Sequence, residues 1–329
     1  MEHKIEISRK VFEENFMIAK KAFVLNTSLE ASACAAAFIG NNQPTSAEAM
    51  KEAKKILGKN ASVLTTLGGG NCRQVVIATL AQSSDPESAM EKIKKIYKGL
   101  DKKFFKSDYL VLAATMIYRA CDEKDYDKYI KRTREIYKLI RHDHPFITGS
   151  EDITNCVVMA LTDVDPEVIA HNTEECFSAL KKVFWGGNKI QYMACVASVF
   201  GGEPDDKAAE IRKAYELLKG EGVRFDSDAF GIVAAVGLLV REEDKKAICK
   251  RIRKLSDEMK TIRGMGAWGA SKRIRNILSC AIVLDAYTGG SDMGRSSVIN
   301  SIISTIIAIE IAACAAAASA AASSASASC

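Results

Sequence analysis

Few of the 329 residues are of types that do chemistry, and their spacing limits what that chemistry is. Among the four histidines, His142 and His144 flank Asp143, a pairing of the kind that ligates zinc or copper. His171, with Glu174 and Glu175, offers a second half-set. Helix topology argues against joining the two. The helix that ends near Ile140 finishes at one rim of the molecule, whereas His171 falls near the start of the next charged helix, at the opposite rim. About eleven residues of helix, roughly 16 Å at 1.5 Å per residue, separate it from the first rim. No metal site is therefore expected, and His142 and His144 read as favourable charges at a helix C-terminus.

Two glycine-rich stretches look like ligand loops. Gly264-Met265-Gly266-Ala267-Trp268-Gly269 has the GxGxxG spacing, but that spacing cradles a dinucleotide only after a strand. An amphipathic helix precedes it here, so an interhelical loop is expected. Gly68, Gly69 and Gly70 lead through Asn71 into a helix start that carries Arg73, a plausible anion cradle. No GKS/T follows, and a flexible linker explains the glycines more simply. No Ser-His-Asp or Cys-His arrangement stands out, and no cofactor motif is met. The ten cysteines form no CxxC pair. Cys156 and Cys195 sit in apolar runs that raise a thiol's pKa and quiet it, so the cysteines read as reduced small hydrophobes. Cys329 is the thiol expected to be exposed.

The elements that hold these residues repeat. Tyr97, Tyr137, Phe177 and Tyr215 lie 40, 40 and 38 residues apart. Three of them follow Asp85-Pro86, Asp165-Pro166 and Glu203-Pro204 at one offset, the mark of a repeat architecture. Apolar runs rich in small residues (28–39, 72–81, 108–118, 152–162, 189–200, 228–240 and 273–287) alternate with amphipathic charged ones (47–57, 86–100, 125–140, 166–183, 204–219 and 242–262). The first kind predicts inner helices buried nearly all round, the second outer helices half in solvent. Pro86, Pro166 and Pro204 suit the first helical position. Asn71, Ser107, Ser150, Asn188, Ser227 and Ser271 are expected to cap the inner helices. Aromatics just before them (Phe104, Phe105, Phe146, Phe184, Trp185, Phe225, Trp268) are expected to pack back as hydrophobic staples. Leu100, Ile140, Leu180 and Leu218, three residues after each outer aromatic, should share its buried face. Cys34, Ala113, Cys156, Cys195, Gly231 and Cys280 keep the inner helices close.

The fold class expected is all-α: about seven stacked helical hairpins in an α/α toroid or an α-solenoid, with an N-terminal helix (8–25) and a C-terminal docking helix. Residues 1–290 form a single helical-repeat domain, 291–313 an amphipathic helix with an isoleucine stripe at 299, 302, 303, 306 and 307, and 314–329 a low-complexity Ala/Ser tail. The net charge of +5 is modest, and bases interleave with acids as in Lys131-Arg132-Thr133-Arg134-Glu135. That pattern reads as a solvated helix face and argues against nucleic acid. The N-terminus carries no apolar stretch after its charges, so no signal peptide is read and a cytoplasmic protein is expected. The isoleucine segment lacks the Lys and Arg flanks a membrane-surface helix wants.

All inner helices begin at one rim. Their first turns and the residues just before them carry Asn71, Arg73, Asp108, Glu151, Asp152, Lys189, Gln191, Asp226, Asp228, Lys272 and Arg273, the candidate ligand-binding set. As helix caps and first-turn acids the carboxylates have a structural explanation, but the bases do not. The small-residue helices and the long Ile-then-Ala/Ser tail (299–328) resemble an uncharacterised bacterial family of about this length, a domain of unknown function. The resemblance covers the whole chain and implies neither activity nor site residues. In shape alone the hairpins are similar to the toroids of prenyltransferases and terpene cyclases, whose Asp/Cys/His zinc set and QW-type repeats are absent here. A partner-binding protein, taking a protein or peptide without catalysis, is the first expectation. An enzyme or small-molecule binder with a cavity at this rim is the second.

Overall fold

Helix punctuation in the sequence becomes helix ends in three dimensions. Pro86, Pro166 and Pro204 each open a helix, and the Asp85 and Asp165 side chains accept from the Ser88 and Glu167 N–H groups at 3.0 Å. Such caps satisfy donors that the first turn leaves free. The computed structural model describes residues 1–289 except 24–27, 42, 63, 64, 70, 71, 103, 105 and 267–269. Every regular element among them is helical. The isoleucine stripe, the Ala/Ser tail and Cys329 lie outside the described residues.

Seven charged helices alternate with seven apolar ones. The charged ones are α1 (Glu2–Ala22), α3 (Ala47–Asn60), α6 (Pro86–Asp101), α8 (Tyr126–Asp143), α10 (Pro166–Lys181), α12 (Pro204–Gly220) and α14 (Lys245–Met259). The apolar ones are α2 (Ser28–Ala36), α5 (Arg73–Ala81), α7 (Asp108–Ala120), α9 (Asp152–Ala160), α11 (Gly187–Ala197), α13 (Phe230–Leu239) and α15 (Lys272–Thr288). Each charged helix packs on the apolar helix of its own hairpin, each apolar helix on the next apolar one, and each charged helix on the next charged one. The N-terminal helix, expected as an addition, is the charged partner of the first apolar helix.

First and last hairpins also touch. Helix α1 packs on α15, and Lys4 Nζ lies 3.1 Å from the Asp285 carboxylate. Arg251 of α14 reaches Glu2 at 2.8 Å, and Ser32 meets buried Met265 at 3.5 Å.

The core fills as the periodicity requires. Leu100, Ile140, Leu180 and Leu218 are buried, and the recurring small residues at 34, 113, 156, 195, 231 and 280 are all buried. Tyr137 is buried, while Tyr97, Phe177 and Tyr215 are half-buried against the core. Close approach has its own demand at Gly237, where a Cβ would sit 2.8 Å from the Ile211 Cα. The eight described cysteines carry free thiols; burial pushes Cys156 and Cys195 well above the usual thiol range and Cys34 up to about 12.

Several local expectations are corrected. The linker expected around Gly68 holds a short helix, α4 (Thr66–Gly69). A Cβ at Gly68 would lie 2.4 Å from the Ser62 carbonyl oxygen, so the glycine there serves a close contact rather than looseness. Of the six expected caps, Ser271 accepts from the Ile274 N–H at 3.4 Å, and Ser107 holds the cap position without a cap hydrogen bond. Asn188 lies inside α11, Ser150 one residue before the cap of α9, and Ser227 in a 3-10 turn. The 264–266 stretch is a loop, as its context implied.

Candidate functional site

The rim where charged helices end and apolar helices begin gathers the predicted residues into neighbouring groups. On α5, Gln74 donates to Glu30 of α2 at 2.8 Å, and the Arg73 guanidinium lies 4.0 Å from the same carboxylate. Between α13 and α15, Arg273 pairs with Asp226. The two arginines that first-turn logic left unexplained thus tie adjacent hairpins together. Asp108 is the first residue of α7, Lys272 the exposed first residue of α15, and Asp228 lies in the 3-10 turn 227–229. Asn71 lies outside the described residues. Lys189 places its ammonium 5.4 Å from the centre of the Phe230 ring, a cation–π contact.

Asp152 is the most perturbed of the set. It opens α9, is 2% exposed, and accepts from the Gly149 N–H at 2.9 Å. Burial pushes its carboxyl up to about 7, with the Glu151 charge adding to the rise and the Gly149, Gln191 and Asn155 groups opposing it. A carboxyl moved out of water favours its neutral form. Gln191 of α11 is also buried; its Nε2 donates to Thr148 Oγ1 at 3.1 Å, while its Oε1 makes no hydrogen bond.

The loops of this rim hold what sequence reasoning misplaced. Phe146 is 99% exposed and Trp185 90%, although both were expected to pack back over a helix start. Phe184 is buried, but against the next hairpin, edge-on to Tyr215 at 5.5 Å and to Phe230 at 6.4 Å, and Phe104 meets Tyr137 of the next hairpin edge-on at 5.0 Å. Phe146 and Trp185 precede a helix start in the same way, yet both side chains stand in solvent. Their loops adjoin: the Ile147 side chain comes within 3.2 Å of where a Gly187 Cβ would be.

The histidines correct a second expectation. His144 Nε2 lies 2.6 Å from Glu174, and its ring sits 4.3 Å from that of Phe177. His171 pairs instead with Glu175 on its own helix at 3.6 Å. Glu174 lies about one turn beyond His171 on α10, and its side chain meets that of His144, which reaches it from the end of α8. Among the described residues no three His, Cys, Asp or Glu side chains gather as a metal set.

Phe104, Arg134, Tyr137, Lys138, Arg141 and His142 line a cleft of about 340 Å³. Arg134, Lys138 and Arg141 fall at i, i+4 and i+7, one face of α8. Their pattern was legible, but it reads as a solvated stripe until the aromatic floor is seen. No helix among the described residues is long and apolar enough to cross a membrane.

No curated protein and no solved structure matches the chain. A family described as "Protein of unknown function (DUF4003)" matches residues 15–313, nearly the whole helical array, and the chain belongs to that family.

Proposed function

We propose that the protein is a helical-repeat scaffold that binds a protein or peptide partner at the rim where its apolar helices begin. The observation that carries this reading is the pair of fully exposed aromatics, Phe146 and Trp185, on adjoining loops of that rim. Large aromatic side chains left in water give up burial free energy of about 2 kcal/mol each, and they are the residue types that anchor interfaces. The contacts between first and last hairpins support closure of the seven hairpins into an α/α toroid. So does Arg119, at the end of α7, which donates to the Ala37 carbonyl past the intervening α5 at 3.3 Å. In a toroid the rim loops form one continuous crown, and repeat proteins bind on such shared faces.

Affinity capture from the cells that make the protein tests this. The wild type should retain a discrete partner that a Phe146→Ser/Trp185→Ser double variant loses and a Val164→Ser/Val168→Ser control at the opposite rim keeps. A partner kept by the first variant, or lost equally by both, contradicts the reading.

Asp152 favours a second reading, a small polar ligand held at the same rim. A buried carboxyl pushed up to about 7 is of the kind that clusters at functional sites. If so, a compound that raises the melting temperature of the wild type at pH 6 should fail to do so for Asp152→Asn. Equal stabilisation of both chains removes Asp152 from any such site.

A further inference from the structure

We propose that the cleft on the last three turns of α8 is a binding site for a phosphate monoester carried on a flat, apolar or aromatic body. Three observations converge on it. The first is charge without a counter-charge: among the described residues, Arg134, Lys138 and Arg141 have no carboxylate within 4.0 Å, although the flanking Lys131 pairs with Glu135 at 3.8 Å. Asp143, the acid beside the cleft residue His142, pairs with that histidine at 2.9 Å. The second is the floor. Phe104 stands edge-on to Tyr137, and Arg141 Nη1 donates to the Tyr137 hydroxyl at 3.4 Å, which ties that guanidinium to the edge of the ring. The third is size, since 340 Å³ lies within the range of small-molecule pockets.

The helix dipole offers a competing explanation, because cations are favourable in the last turn of a helix. It accounts for Arg141 and His142. It does not reach Arg134, two turns earlier and half-buried, and it leaves the aromatic floor unexplained. A lone carboxylate takes one or two such donors. Three cations on one face match a dianion with three acceptor oxygens, and guanidinium groups grip phosphate through paired N–H bonds. The site is built from α8 and the loop before α7, so it does not depend on a partner engaging Phe146 and Trp185.

Calorimetric titration of the full chain with phenyl phosphate, inorganic phosphate and phenol tests the proposal. Phenyl phosphate should bind one to one, more tightly than either fragment, and more weakly as salt is raised. Lys138→Gln and Arg141→Gln should each weaken it about tenfold, the loss expected for one charge-assisted hydrogen bond. Both side chains are exposed, so the melting temperature should not move and misfolding cannot mimic the loss. A short phosphotyrosine peptide forms a second arm. Tighter binding of the peptide assigns the phosphate to a protein, and equal binding assigns it to a free small molecule. Absence of saturable binding at millimolar phenyl phosphate overturns the proposal. So does binding that both glutamine variants retain, or phenol or inorganic phosphate binding as tightly as phenyl phosphate.

Discussion

At the rim where apolar helices end, cationic side chains reach into backbone carbonyls. Arg132 donates to the Ala160 carbonyl at 3.1 Å and also to that of Val164. Lys207, itself 8% exposed, donates to Ala197 and Phe200 at 3.2 and 3.0 Å. Lys245, buried, pairs with Glu210 and with Glu242 at 3.4 Å. At the other rim Arg212 reaches the Val183 carbonyl at 2.9 Å and buried Arg275 those of Met265 and Ala270 at 2.6 and 3.1 Å, but among the described residues Arg134, Lys138 and Arg141 make no such bond, and Phe146 and Trp185 stand in solvent. The contrast has a physical cause. The last carbonyls of a helix have no partner within it. Where the helix is buried, as at Ala160 and Ala197, water does not reach them and a side chain must. The end of α8 is exposed at the other rim, and its Lys138 and Arg141 close no carbonyl in this way. The first rim is closed by such ties; the other, tied at Arg73, Arg212, Arg273 and Arg275, is open along the end of α8.

The largest expected break in this contrast is at Asp152. Its folded pKa, about 7, lies above the ordinary carboxylate value, so the folded state holds the proton more tightly than the unfolded one. The resulting stability is fully present below about pH 4 and is lost as pH rises through 7, at up to about 1.4 kcal/mol per pH unit. Denaturant unfolding of wild type and Asp152→Asn across pH 4 to 8 should show the wild type falling behind the variant by a few kcal/mol. Parallel curves would mean the carboxyl is ionised in the fold. Tyr137→Ala comes next, at about 3 kcal/mol or more, because its ring is buried against Phe104; a near-neutral midpoint would place it outside the core. Lys207→Met should cost about 2 kcal/mol at the closed rim by leaving two carbonyls unpaired. The smallest effect, within ~0.5 kcal/mol, is expected for Lys138→Gln/Arg141→Gln at the open rim. Thermal scans of that variant beside Lys207→Met measure how differently the two rims use their cations.

Much of the fold is legible in the sequence because local and tertiary demands agree. Asp85-Pro86 and Asp165-Pro166 open helices, and buried Leu100, Ile140, Leu180 and Leu218, three residues after the recurring aromatics, fix the inward faces of their helices. The site was legible only in part. Nothing local distinguishes Phe184, which packs on Tyr215 and Phe230, from its neighbour Trp185, which packs on nothing comparable. The difference lies in residues that are remote in sequence. Helix spacing alone does not show that His144 and Glu174 meet, because their side chains span a gap that the backbone distance to the rim leaves open. The cleft left a fainter signal: neither Arg134 nor Arg141 has an acid three or four residues away on α8, whereas Lys131 has Glu135.

The claim that one rim is the binding face is tested most directly by photo-crosslinking inside the cells that make the protein. A benzophenone amino acid would be placed at 146 in one variant and at 168 in another, Val168 being a half-exposed apolar residue at the opposite rim. The account predicts a discrete, saturable adduct from position 146 and none from 168. Adducts of equal yield from both positions, or from 168 alone, would contradict it.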